Sequence, residues 1–170
     1  MVTIRCTKKL LRRLHDADES QESPSTTALG DWYANILFSR PQQLILCVSE
    51  RTLLPVVILA REFESLPVRL AASVGEVLAR LGVPQELIER EGLKMRQFAY
   101  GPTRSKRVLG SMNDFMFQLS WLLHDRPGIG LVDASLHLAE TPCSPIGYKS
   151  PDDFTLELLG SSVSGAHGTH

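Results

Sequence analysis

The stretch DWYANILFSRPQQLILCVSERTLLPVVILA, residues 31–60, decides the fold. Its first third alternates, so that Trp32, Ala34, Ile36 and Phe38 share one face of an extended segment, which is the period of a strand. QLILCVS (43–49) is continuously apolar, as a central strand covered on both faces would be. LLPVVILA (53–60) has the same character, but Pro55 has no N–H to donate. That part therefore belongs at a sheet edge or a strand start. The links PQ and ERT are short, and short links predict an antiparallel meander.

Working outward, VTIRC (2–6) reads as a short strand and TKKLLRRLHD (7–16) as a helix capped by Thr7, with Leu10, Leu11 and Leu14 on one face. Residues 17–29, ADESQESPSTTAL, are polar and acidic without periodicity, the composition of a surface loop. Downstream, SLPVRLAASVGEVLARLG (65–82) places Leu66, Leu70, Val74, Val77, Leu78 and Leu81 on one helical stripe. Ser65 stands at its start, and Gly82 and Pro84 at its end. PQELIEREG (84–92) predicts a second short helix stopped by Gly92, and LKMRQFAY (93–100) alternates as a strand. SMNDFMFQLSWLLHD (111–125) has Met112, Phe115, Met116, Leu119, Leu122 and Leu123 at helical spacing. Residues 129–140 fit helix or strand, with helix the favoured reading, and DDFTLELL (152–159) predicts a last short helix. The sum is one α+β domain over residues 1–159: a mainly antiparallel sheet of four or five strands packed on two main helices and shorter ones. Residues 160–170, GSSVSGAHGTH, have the composition of a flexible tail.

The 170 residues suit one domain with a real core, and 18 Lys+Arg against 19 Asp+Glu leave a net charge of -1. Strong nucleic-acid binding is not expected from that balance, so any anionic partner must meet a local patch. Cys6, Cys47 and Cys143 are odd in number, widely spaced and form no CxxC, which speaks against a disulfide framework or a zinc site. With no signal-like segment and no long apolar run, the expectation is a cytoplasmic protein away from the membrane.

RSKRVLGSMND, residues 104–114, is the one chemically suggestive stretch. Ser111 and Asp114 have the S-x-x-D spacing of a capping box just before an apolar run, so Ser111 is the expected N-cap. Arg104, Lys106 and Arg107 then stand before a helix N-terminus, where anions are favoured, and with Ser111 form a candidate anion-binding face. A second cationic group, Arg5, Lys8, Lys9, Arg12 and Arg13, would enlarge that face if the fold brought the two together.

IRCTKKLL, the DWYANILFSR strand and RVLGSMND, in that order, resemble an uncharacterised bacterial domain-of-unknown-function family. Its members carry I-x-C-T-x-K-L-L, W-x-A-N and G-S-M-N-D-like motifs. The resemblance spans roughly residues 2–159 and implies a shared fold and a bacterial origin, with no activity attached.

Signatures of catalysis are missing: no G-x-S-x-G, H-E-x-x-H, Walker A or G-x-G-x-x-G motif occurs. The five histidines show no metal-ligand spacing on an ordered element, and neither a metal nor a cofactor is expected. The leading expectation is a non-catalytic accessory protein that binds another protein, with a phosphate-containing ligand as a further partner for the basic face. The alternative is a metal-dependent nuclease or nucleotide hydrolase using Asp31, Arg107, Asn113 and Asp114.

Overall fold

The computed structural model describes residues 1–14, 24–39 and 42–167. Five strands, β1 (Val2–Cys6), β2 (Trp32–Leu37), β3 (Leu44–Ser49), β4 (Pro55–Leu59) and β5 (Phe98–Pro102), form one sheet in the order β4-β3-β2-β1-β5. The expected meander is present: Cys47 of β3 faces Ala34 of β2 on one side and Val56 of β4 on the other, both antiparallel. Pro55 is the first residue of its strand, the position where a missing N–H costs least. β1, by contrast, lies parallel to both β2 and β5, so the sheet is mixed. Parallel neighbours require crossovers, and the chain supplies them between β1 and β2 and, through two helices, between β4 and β5.

The helices are α1 (Lys8–Leu11), α2 (Leu66–Arg80), α3 (Gln85–Lys94), α4 (Lys106–Asp125), α5 (Leu131–Leu138) and α6 (Pro151–His167). Strand alternation divides the core in two. Val2, Ile4, Trp32, Ala34, Ile36, Ile45, Cys47 and Val56 cluster with Leu70, Val74, Val77 and Leu78 of α2. Tyr33, Leu44, Leu46, Val48 and Val57 cluster with Val108, Met112, Phe115, Leu119 and Leu122 of α4. The continuous apolar run of β3 therefore feeds both cores, as a strand covered on both faces must.

Several boundaries differ from the expected ones. α1 closes at Leu11 rather than 16; residues 15 and 16 lie outside the described residues, as does most of the 17–29 loop. Thr7 precedes α1 but its hydroxyl donates to Asn35 Oδ1 (2.7 Å) instead of serving as a cap. Gly92 does not stop α3, which runs to Lys94, and the strand expected over 93–100 begins at Phe98. Buried Met95 explains the shift: it enters the core from the last turn of α3, and its N–H bonds back to Glu91 and Gly92. Residues 131–138 are helical, as favoured, and α6 is longer than the 152–159 helix expected.

α5 lies along β4. Ser135 Oγ accepts a hydrogen bond from the outward N–H of Val57 (2.9 Å) and donates to Leu131 O within its own helix (2.8 Å). Ala134 and Leu138 enter the α4-side core, Ala139 the other. No helix among the described residues is long and apolar enough to cross a membrane.

Candidate functional site

The suggestive stretch is built differently from its expected form. Ser105, not Ser111, is the N-cap of α4: its Oγ accepts from Val108 N (3.2 Å), and its own N–H donates to the hydroxyl of buried Tyr33 (3.1 Å). Ser111 lies in the second turn and is buried, 8% exposed. The physical reason is that the apolar stripe reaches back to Val108, one turn before Met112, and burying Val108 draws the helix start upstream. Arg104 therefore precedes the cap, while Lys106 and Arg107 occupy a first turn that contains no acid. All three are exposed, at the end of the helix where the backbone dipole favours anions rather than cations.

Arg107, Ser111 and Asp114 follow one another at i, i+4 and i+7, so they lie along one side of α4. They line a cavity of about 700 Å³ closed on its other side by residues 141–148. Arg107 Nη2 donates to Pro145 O (3.1 Å), and Thr141 Oγ1 donates to Gln118 Oε1 (2.9 Å), so loop and helix are tied at two points. The loop turns back through Cys143 and Lys149, with Tyr148 at φ 62. A left-handed backbone is uncommon for an aromatic residue, and here it holds the ring outward, 74% exposed. Lys149 Nζ braces the loop on Glu157 of α6 (2.9 Å).

The other residues proposed for a hydrolase do not join them. Asn113 is exposed and does not line the cavity. Asp31 is buried just before β2, accepting from Thr3 N (3.0 Å) and Arg5 Nε (3.2 Å). Asp31 does not line the cavity that Arg107 and Asp114 share. Arg5 likewise leaves the N-terminal basic group to become a buried ion-pair partner, its Nη1 also donating to Pro102 O (3.2 Å). The α1 helix packs into the α2-side core and α4 into the opposite one, so the two cationic groups flank the sheet from different faces. Among the described residues no group of three His, Cys, Asp or Glu is arranged to hold a metal ion.

The cysteines are poor nucleophiles. Burial pushes the Cys143 thiol up to about 11, with the charge of Asp114 adding to it, and burial holds Cys6 at about 12 and Cys47 higher still. A neutral thiol attacks slowly, so burial disfavours Cys143, which lines the cavity, as a nucleophile.

Sequence reasoning overlooked two features. Phe117 and Trp121 point away from the core stripe of α4, 67% and 57% exposed, in edge-to-face contact at 6.4 Å. Their offset from the 112–115–119–122 stripe was the available signal. Glu91, buried in α3, accepts from the amides of Ala28 (2.8 Å) and Leu29 (3.0 Å) and fixes the segment entering β2. No local pattern announces so remote a contact.

Comparison with curated proteins and with solved structures finds no match. A family model described as a domain of unknown function, DUF6933, matches residues 3–154, nearly the full length, and the chain belongs to that family.

Proposed function

We propose that this protein is a non-catalytic accessory protein that binds another protein through the exposed side of α4. The observation that carries the reading is a set of exposed aromatics: Phe117 and Tyr148 line the cavity together with Arg107, and Trp121, in contact with Phe117, extends the aromatic surface one turn along α4. Aromatic side chains supply large contact area at low entropic cost, and interfaces are enriched in aromatics and arginine. Arg104, Lys106 and Arg107, in and before an acid-free first turn, give the same surface an anion-binding end. A hydrolytic reading has less support: of its four residues, only Arg107 and Asp114 line the cavity.

Photo-crosslinking in the native cell tests the reading. A crosslinker at Trp121 is expected to capture one defined protein, lost with Phe117→Ala, while a crosslinker at exposed Glu76 on α2 does not. The rival is tested on purified protein with nucleotides, RNA and DNA plus magnesium or manganese. Turnover abolished by Asp114→Asn in a folded variant would overturn the non-catalytic reading.

A further inference from the structure

β5 is an edge strand, and no strand among the described residues pairs with its outer side. Its register on β1, fixed by Val2 N donating to Gln97 O (2.9 Å), turns the backbone groups of Gln97, Ala99 and Gly101 inward. Those of Phe98 and Tyr100 then point outward. Among the described residues no hydrogen bond reaches the outward N–H or C=O of either. Beside this edge, on the α2 side of the sheet, runs an apolar groove of about 650 Å³ lined by Val68, Ala71, Leu93, Met95 and Phe98, with Glu89 and Arg96 at its rim. Val68 and Leu93 are exposed there, and the Phe98 and Tyr100 rings meet edge to face at 5.6 Å.

We propose that the outer edge of β5 receives an extended, acidic segment of a partner protein as a sixth strand. Backbone pairing to an open edge provides the attachment, and every second side chain of an added strand falls on the groove side. Charge selects the chemistry of the occupant. Residues 92–113, with β5 in their middle, contain Lys94, Arg96, Arg104, Lys106 and Arg107 and no carboxylate, in a chain whose net charge is -1. The one acid at the groove, Glu89, shares the rim with Arg96. The same charges disfavour a second copy. Antiparallel self-pairing about Tyr100 would set Arg96 opposite Arg104, and Phe98 opposite Pro102, which has no N–H. The open backbone groups and the groove are separate from the α4 cavity, while the cations Arg104, Lys106 and Arg107 serve both readings; exchange at Phe98 and Tyr100 reports on the edge alone.

The test is amide hydrogen exchange of the full chain, with and without a synthetic peptide of alternating valine and threonine flanked by paired aspartates. The expected result is exchange at Phe98 and Tyr100 slowed by about tenfold, with the already paired Ala99 and Gly101 unchanged. Salt should weaken the effect, and a lysine-flanked peptide should not produce it. Arg96→Glu combined with Lys106→Glu, both exposed and outside the core, should reverse the preference between the peptides. Three outcomes overturn the proposal: neither peptide slows exchange; both do so equally; or the free protein self-associates with these two amides already slow.

Discussion

The two edges of the sheet are treated in opposite ways. At β4, α5 lies along the strand, and Ser135 takes the outward amide of Val57 into a hydrogen bond. At β5, the outward groups of Phe98 and Tyr100 meet no partner among the described residues, although cations and Pro102 stand nearby. Exposed edges invite pairing with other chains, and proteins commonly cover them or mark them with charge. Among the described residues one edge is covered and the other is flanked by charge. The covered edge is part of the folding unit; the charged one is where we propose that a partner strand adds.

The largest expected effect lies one strand inside the open edge. Asp31→Ala removes the carboxylate that Thr3 N and Arg5 Nε share, where β1 joins β2. Losing one partner of a buried ion pair costs about 3–5 kcal/mol, to be read from urea unfolding with an unchanged denaturant slope. A loss below 1 kcal/mol would show that β1 is held by other contacts. Next comes the covered edge itself. Ser135→Ala strands the Val57 amide in a buried site and should cost about 1–3 kcal/mol, with faster exchange at Val57. Unaltered stability would remove the hydroxyl from the account of how β4 is closed.

A smaller pair of variants tests the segment leaving β5. Ser105→Ala should cost about 0.5–2 kcal/mol, as lost N-caps do. Ser111→Ala, inside the helix, should cost less, because Ser111 caps nothing. The reverse order would restore the capping-box reading of Ser111 and Asp114.

Alkali should act more gradually. Burial raises the folded-state values of Cys6 and Tyr100 to about 12 and of Cys143 to about 11, from ordinary values of 9.0 for a thiol and 10.0 for a phenol. Each group's contribution is complete below its unfolded value and is lost as pH rises towards the folded one. Stability should thus hold to about pH 9 and decline from there to about 12, followed by thermal unfolding. A flat profile across that window would place these groups in water. The smallest effect belongs to Arg96→Glu, which should alter stability by less than about 0.5 kcal/mol, since that side chain is exposed.

These contrasts also mark what was legible in the sequence. The β2–β4 meander could be read because alternation and short links are local, and α2 because its stripe and its Gly82 stop are local. The neighbours of β1 could not: parallel pairing joins segments far apart in the chain, and nothing in VTIRC says that β2 and β5 flank it. S-x-x-D before an apolar run imitates a cap at Ser111, while the packing of Val108 decides the true start at Ser105. Arg107, Ser111 and Asp114 do share a side of α4, yet the loop opposite them reaches the cavity only through tertiary folding. The pairing of Asp31 with Arg5 is not legible in the sequence, because Arg5 lies on another strand.

Native-state hydrogen exchange on the free protein at low concentration tests the central contrast most directly. Val57, whose amide Ser135 holds, should exchange as slowly as Cys47 in the central strand. Phe98 and Tyr100 should exchange far faster than Ala99 and Gly101, their immediate neighbours on the same strand. Fast exchange at Val57, or Phe98 and Tyr100 as slow as the residues between and beside them, would contradict the account of one covered edge and one open.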